Sequence, residues 1–236
     1  IPETYQVPVE SRAAMCEAET ARHEAWLAAM LAPQRDKGLT VSHEVECEDD
    51  WRAALAPAAK RAGADIIIKA SYRRSNLQRR LMKTADWSLL RGAHCPVLFV
   101  KDANATPTDK VLAAVNLNAK DPAHQALNEA IIDACQLIAK TTGAELHAVN
   151  AYDGEDNFVH PPDLAKKLGI PRDRAHVADA APEDLVPEIA EKLGDPLLVT
   201  GSVARRGAAA AVVGNTAERI LDKINGEVFV LIHAAS

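Results

Sequence analysis

An internal repeat limits the fold of this 236-residue chain more than any other feature of its sequence. Residues 54–101 align without a gap with residues that stand 131 positions later, as from Ser71 to Ser202. Gly63 falls on Gly194 in the same alignment, and several apolar positions match as well. Helix and strand periodicity can align apolar positions by chance, whereas the matched serine, the matched glycine and the ungapped length favour duplication.

Strand and helix patterns alternate along the chain. Short apolar runs, typical of strands buried on both faces, stand at 65–68, 111–115 and 197–200, and residues 40–47 alternate like a strand with one buried face. This order favours a parallel α/β sheet with helices on both faces. Strands are predicted at 40–47, 65–68, 96–100, 111–115, 146–151, 175–178, 197–200 and 228–232, and helices at 8–37, 50–61, 86–91, 122–143, 163–168, 182–193 and 215–224.

A polar linker separates the two copies. Residues 101–109 (KDANATPTD) lack apolar periodicity, which places the boundary between a first domain at 1–101 and a second domain at 110–236. The second copy has a strand, a helix and a strand before its third strand, whereas the first copy starts with a long helix. We therefore expect the first domain to lack its N-terminal strand, helix and strand, and segments to be absent before Ile1 and near Asp156.

The composition excludes several classes of protein. The chain is 48% hydrophobic, enough for a real core, and its formal net charge of −6 gives no general attraction to nucleic acid or to an anionic membrane. No apolar run approaches the ~18–20 residues of a membrane span. We expect a cytoplasmic protein that binds neither nucleic acid nor membrane. Its four cysteines are predicted to be reduced packing thiols: Cys16, Cys47, Cys95 and Cys135.

No residue pattern indicates a catalytic or metal site. The eight histidines lack ligand spacing, and His147, on a predicted buried strand, is expected to be a hydrogen-bonded core residue. Ser202 follows a strand but has no G-x-S-x-G elbow around it and no base in evidence. The sequence therefore favours a protein that binds over one that catalyses.

The stretch from Leu197 to Ile224 resembles a phosphate cradle. It has a buried strand, a loop that Gly201 opens and Gly214 closes, and then a helix. Such a loop presents backbone N–H groups and a helix N-terminus to an anion. In the first copy the equivalent positions carry larger side chains, so that copy is not expected to hold a ligand in the same way. The substituted positions are Ala70 for Gly201, Arg73 for Ala204 and Lys83 for Gly214.

The spacing Gly201, two residues, Ala204, nine residues, Gly214, Asn215 resembles the G-x2-G-x9-G-(S/T) motif of the universal stress protein family. Asp86-Trp87, Cys95-Pro96-Val97 and the run from Gly214 to Glu218 resemble the tandem-domain, E-type members. The resemblance covers nearly the whole chain. It implies two α/β domains of the adenine nucleotide alpha hydrolase-like kind, each with a five-stranded parallel sheet. It also implies that the last strands of the two halves meet, which makes one chain a pseudo-dimer.

Several positions depart from the nucleotide-binding pattern of that family. The Asp that holds the nucleoside after the first strand is Asn116 here, the middle glycine is Ala204, and the Ser/Thr is Asn215, while Ala148 stands where an apolar residue backs the adenine. Arg205 lies inside the loop and can still pair with phosphate. The candidate nucleotide-binding residues are Asn116, Ala148, Gly201, Ser202, Ala204, Arg205, Gly214, Asn215 and Thr216.

The resemblance implies a cytoplasmic stress-response protein that acts by binding, with a partly degenerate nucleotide site and no certain cofactor. One alternative is a sensor of ATP or AMP that uses the second-domain loop. Another is a carrier or sensor of a small ligand, either apolar in a cavity lined by Trp26, Trp51 and Trp87, or acidic at a basic cluster. A further homodimer is left open. The basic cluster consists of Arg73, Arg74, Arg79, Arg80 and Lys83.

Overall fold

The computed structural model describes residues 9–71, 85–101, 108–204 and 216–234. The helices within these residues are α1 (Val9–Asp36), α2 (Trp51–Arg61), α3 (Ala85–Gly92), α4 (Pro122–Thr142), α5 (Pro161–Leu168), α6 (Pro182–Lys192) and α7 (Thr216–Lys223). The strands are β1 (Ile67–Ala70), β2 (Val97–Val100), β3 (Lys110–Ala114), β4 (Glu145–Tyr152), β5 (Ala175–Asp179), β6 (Leu197–Ala204) and β7 (Val228–Ala234). None of the helices in these ranges combines the length and apolar character of a membrane span.

One seven-stranded sheet orders the fold, with strand order β1-β2-β7-β6-β3-β4-β5. All neighbouring strands are parallel except β2 and β7, which are antiparallel. The second copy alone supplies β5-β4-β3-β6-β7, a five-stranded parallel arrangement. This confirms the α/β fold that the alternating pattern and the family resemblance predict.

The two copies of the repeat meet where β2 pairs with β7. Leu98 lies opposite Phe229, and Val97 lies opposite Val230. Leu98 and Phe229 are also equivalent residues of the two copies, because they stand 131 positions apart. A local two-fold axis therefore passes between them. The expectation that the last strands of the two halves meet is confirmed.

The helix bounds repeat the same offset. α2 begins at Trp51 and α6 at Pro182, while α3 begins at Ala85 and α7 at Thr216. Both pairs of starting residues are 131 positions apart, and the paired helices have equal lengths of 11 and 8 residues. Duplication therefore explains the local structure as well as the residue matches.

The sheet is covered on both faces. In β3, Val111 and Ala113 pack into one core with α4 and α5, whereas Leu112, between them, packs into the other core with α3, α6 and α7. Successive side chains of a strand point to opposite faces, which accounts for the alternation. The continuous apolar run at 111–115 is thus a strand buried on both sides, as predicted.

The strand predicted at 40–47 is not formed. Residues 39–48 are neither helical nor paired as a strand, and Cys47 forms a disulfide with Cys16 of α1. A strand needs a hydrogen-bonded neighbour, and this segment returns beside a helix instead. The prediction of reduced thiols is therefore wrong for Cys16 and Cys47, while Cys95 and Cys135 are free and buried.

Residue contacts divide the chain into two compact units, Ile1–Ala54 and Leu55–Ser236. The first unit contains α1, and the second contains the sheet. The boundary predicted at 101–109 falls within the second unit, where β2 and β7 of the two copies pair. The domain assignment 1–101 and 110–236 stays a prediction that rests on the repeat.

β1 departs from its prediction as a strand buried on both faces. It lies at the end of the sheet order and pairs with β2, and its residues alternate between half-buried and exposed. Ile68 is 65% exposed, since an edge strand of the described sheet has a neighbour on one side only. Trp26 and Trp51 are also more than half exposed, so these two residues do not line the apolar cavity predicted from the tryptophans.

Candidate functional site

A crevice opens at the carboxyl ends of the parallel strands, between β3 and β6. The connection from β3 leads to β4 on one side, whereas β6, which follows β5 in the chain, lies on the other side of β3. The direction of strand order therefore reverses between β3 and β6, which makes this the topological switch point of the sheet. Ligands of open α/β sheets bind at such points. The cavity has a volume of about 220 Å³ and is lined by Ala114, Val115, Asn116, His124, Leu127, Asn128, Ile131, Val149, Ala151, Pro182, Val186, Thr200, Gly201, Val203, Thr216 and Ile220.

Asparagine side chains fix the loop that follows β3. The backbone N–H of Asn116 donates to Oδ1 of Asn128 (3.0 Å), and Nδ2 of Asn128 donates to the Asn116 carbonyl (2.6 Å). Oδ1 of Asn116 accepts the backbone N–H of Asn118 (3.0 Å). One lone pair of its carbonyl oxygen therefore serves the loop, and its amide NH₂ is a donor that this side chain can present to the crevice.

Asn150, in β4, also forms a hydrogen bond with the loop that follows β3. It is fully buried, its Oδ1 accepts the Leu117 N–H (2.8 Å), and its Nδ2 donates to the Ala151 carbonyl (3.0 Å). Both ends of the amide are thus satisfied, as a buried polar group requires. Sequence reasoning missed Asn128 and Asn150, although an asparagine within the apolar run of β4 was a signal of a buried hydrogen bond.

Gly201 lies inside β6 and does not open a loop, because the strand continues to Ala204. A β carbon at this position would lie 2.4 Å from Cδ2 and 2.5 Å from Cγ of Leu127 in α4. The glycine therefore allows α4 to pack closely against the sheet. This is a structural requirement that holds whether or not a ligand binds.

An ion pair links the two copies at the start of α7. α7 begins at Thr216, and in its first turn Glu218, 1% exposed, accepts two hydrogen bonds from Arg91 of α3 (2.7 and 2.9 Å). Hydrogen bonding to this carboxylate raises the pKa of Arg91 against the opposing effect of burial. The guanidinium also lies over the ring of Trp87, 5.6 Å from its centroid.

Two further predicted site residues are buried away from the crevice, and others lie outside the described residues. Ala148 is fully buried in the core and does not line the crevice, whereas its neighbours Val149 and Ala151 do. Ser202 is 2% exposed within β6 and is likewise absent from the lining. The other predicted positions lie outside the described residues: Arg205, Gly214, Asn215, Arg73, Arg74, Arg79, Arg80 and Lys83.

In the first copy, a buried carboxylate lies at the start of α3, the helix that corresponds to α7. Asp86, in the first turn of α3, accepts a hydrogen bond from Ser71 Oγ (2.7 Å) and pairs with Lys69 Nζ (2.7 Å). The repeat places Ser202 and Ala217 at the corresponding positions of the second copy.

Among the described residues that line the crevice, His124 is the one with a titratable side chain. Its backbone N–H donates to Oδ1 of Asp121, the N-cap of α4 (3.0 Å), and its Nδ1 lies 2.7 Å from Oδ2 of the same residue. These hydrogen bonds hold the pKa of Asp121 below its ordinary value. The pair caps α4 at the mouth of the crevice.

A second group of polar side chains lies near the start of β4, away from the crevice. Buried His147 donates from Nε2 to Oε1 of Glu145 (2.6 Å), and its Nδ1 lies 3.3 Å from Nε2 of His176. Hydrogen bonding to His147 lowers the pKa of Glu145, and burial is the main cause that lowers the pKa of His176. The prediction of a hydrogen-bonded core histidine at His147 is confirmed.

Comparisons with known proteins agree with this fold. Residues 2–101 match the sequence profile of the universal stress protein family. The chain is 27% identical over 245 residues to universal stress protein E of Escherichia coli strain K12, an alignment that covers 94% of this chain and 78% of the relative.

Solved structures give the same likeness. A functionally unknown protein of Pseudomonas aeruginosa PAO1 is 29% identical with a TM-score of 0.74, covering 89% of this chain and 78% of that one. A universal stress protein of Archaeoglobus fulgidus DSM 4304 has a TM-score of 0.72 at 15% identity, covering 98% of this chain and 82% of that one. This last likeness concerns the fold alone.

Proposed function

We propose that this chain, whose residues 2–101 match the universal stress protein family, serves the stress response by binding a small neutral ligand in the crevice between β3 and β6. The proposal is that it binds this ligand without transforming it, and that it does so in the cytoplasm. Buried free thiols at Cys95 and Cys135 are compatible with that compartment.

The neutrality of the crevice carries the proposal. Its lining contains no carboxylate, ammonium or guanidinium group among the described residues, and Asn116 stands where the family resemblance implies an Asp. With its oxygen engaged by Asn118, Asn116 offers a donor, which suits a hydroxyl or carbonyl oxygen of the ligand. The volume of about 220 Å³ is below the roughly 300–1,000 Å³ of pockets for drug-sized ligands.

The same lining favours binding over catalysis. Catalysis by acid–base or nucleophilic chemistry needs a base within hydrogen-bond reach of the reacting group. In the described lining, the one titratable side chain is His124, and its Nδ1 is already engaged by Asp121. The described lining therefore supports a ligand that is held and released unchanged.

A nucleotide sensor is the second candidate, and one observation favours it. Asn116, Gly201 and Thr216, three of the predicted nucleotide-binding residues, line the same crevice. Thr216 also starts α7, and a helix N-terminus favours a phosphate. The acidic-ligand alternative rests on Arg73, Arg74 and their neighbours, outside the described residues, and stays a prediction.

Ligand-observed NMR tests the proposal. The full chain is screened against neutral amides and alcohols, carboxylates and phosphates, and the screen is repeated with Asn116→Leu. We expect neutral hits that disappear in this variant and persist in Asn225→Leu, an exposed asparagine away from the crevice. Hits confined to phosphates, or neutral hits that Asn116→Leu leaves unchanged, would contradict a neutral ligand in this crevice.

A further inference from the structure

The disulfide between Cys16 and Cys47 closes a long loop around α1. The two residues are 31 positions apart, and their Cα atoms lie 6.0 Å from each other. Cys16 stands 20 residues before the end of α1 at Asp36, which is about 30 Å back along the helix. Residues 37–47 can span little more than that distance when fully extended. The chain therefore runs back along α1 in extended form to reach Cys16.

Little packing holds this part of the chain in place. No side chain among residues 11–54 is fully buried, and both Met15 and Met30 of α1 are more than 40% exposed. Arg35 donates from Nε to the Val41 carbonyl (3.0 Å), and its Nη2 lies 3.2 Å from Nδ1 of His43, so both contacts hold the first half of the returning segment. At the far end of the returning segment, the disulfide to Cys16 is the covalent connection to α1. A cross-link that closes so long a loop restricts the open states of the chain.

The four cysteines differ in reactivity. Cys47 is exposed and Cys16 is half-buried, so a small thiol can reach their disulfide. Cys95 and Cys135 are buried, and burial raises the pKa of both thiols, for Cys135 to about 12. The thiolate is the reactive form of cysteine, so burial makes these two residues less reactive than an exposed thiol.

We propose that the Cys16–Cys47 disulfide is a redox latch, which small thiols open and small disulfides close, and which controls whether residues 37–47 stay bound along α1. This latch lies in the first compact unit and is independent of the proposed ligand crevice. In a reducing compartment the latch would be open, and oxidative conditions would close it.

The chemistry balances with a low-molecular-weight thiol. One thiolate attacks a sulfur of the disulfide and forms a mixed disulfide, which breaks the Cys16–Cys47 bond and releases the other cysteine as a thiol. A second small thiolate then displaces the remaining cysteine. Two small thiols are oxidised to one small disulfide, and the two electrons and two protons end on Cys16 and Cys47. Closure by oxidised glutathione is the reverse.

Hydrogen exchange on the full chain tests the latch. The protein is equilibrated with oxidised or with reduced glutathione, free thiols are alkylated and mapped, and amide exchange is followed peptide by peptide. In oxidised glutathione we expect Cys16 and Cys47 to be linked and Cys95 and Cys135 to be unmodified. On reduction, exchange in residues 9–47 should accelerate at least about tenfold, while exchange in α4 stays unchanged.

Matched variants separate the latch from general destabilisation. Cys16→Ser with Cys47→Ser should show fast exchange in residues 9–47 under both conditions. Cys95→Ser with Cys135→Ser should retain the redox dependence, and α4 provides an internal reference within every sample. The proposal is overturned if Cys16 and Cys47 are recovered unlinked from oxidised glutathione, or if exchange of the parent chain is the same in both states.

Discussion

Cδ2 of Leu127 lies 2.4 Å from the position that a β carbon on Gly201 would occupy. No side chain can be added at Gly201 unless Leu127 moves, and Leu127 is itself 6% exposed in the core between α4 and the sheet. A glycine that resembles part of a phosphate loop is thus required by helix packing. The glycine at position 201 is therefore weaker evidence for a nucleotide site than the spacing of the motif alone suggests.

Replacing Gly201 with alanine should destabilise the fold through this contact. We expect a loss of roughly 1–3 kcal/mol in the free energy of unfolding, typical of an overpacked core. Leu127→Ala alone should lose about 2–5 kcal/mol by leaving a cavity. The double variant should lose less than the sum of the two, because the new methyl group occupies space that Leu127 vacates. Urea unfolding of the four proteins measures this coupling, and strict additivity would show that the contact does not limit residue 201.

The Arg91–Glu218 pair should contribute to stability because it is buried and bidentate. Glu218→Gln leaves the guanidinium without its carboxylate, and we expect a loss at the lower end of the roughly 3–5 kcal/mol seen for broken buried pairs, since Arg91 is 30% exposed. Chemical unfolding measures the loss.

A surface pair provides the matched control for that substitution. Glu188 and Lys192 lie 2.6 Å apart on α6 with side chains 57% and 64% exposed. Glu188→Gln should change the free energy of unfolding by less than about 1 kcal/mol. Equal effects of the two substitutions would mean that the link between α3 and α7 is no stronger than a solvated pair.

Stability should fall as the pH drops below the ordinary pKa of histidine. Burial, and then the charges of His147 and Lys192, lower the pKa of His176, while Asp173 acts in the opposite direction. A histidine with a lowered folded pKa binds its proton more readily in the unfolded chain. Its contribution to stability is therefore present above about pH 6.5 and is lost as the pH falls toward the folded value.

Urea unfolding across roughly pH 5 to 7 measures this contribution. His176→Gln, which keeps a donor for His147, should flatten the pH dependence of the free energy of unfolding in that window. His94→Gln, at an exposed position, serves as the control and should leave the curve unchanged. A curve for His176→Gln that parallels the parent would assign the pH dependence to other groups.

The repeat and the apolar patterns were enough to predict most of the sheet. Local apolar runs predict elements such as β3 and α6, and the offset between the copies carries the bounds of α2 over to α6. The pairing of β2 with β7 followed from the family resemblance. These features depend on periodicity and duplication, which a single sequence records.

Other features depend on contacts that a sequence does not record. The alternation at 40–47 resembles a strand, but whether such a segment pairs with a neighbour is decided by tertiary structure. The glycine at 201 signals a close approach without saying that Leu127 is the approaching group. Asn128 and Asn150 act through bonds to distant backbone groups, so their part in shaping the crevice becomes visible only in the folded chain.

Calorimetric titration with ATP tests the central proposal, a neutral ligand crevice in which Asn116 stands where the family resemblance implies an Asp. The parent chain should give no binding heat up to ~1 mM ATP, which corresponds to a free energy weaker than about −4 kcal/mol. Asn116→Asp keeps an oxygen for the Asn118 N–H and restores the charge, so it should strengthen nucleotide binding by roughly 10- to 100-fold and bring it into range. Micromolar binding of ATP by the parent chain, unaffected by Asn116→Asp, would contradict the account.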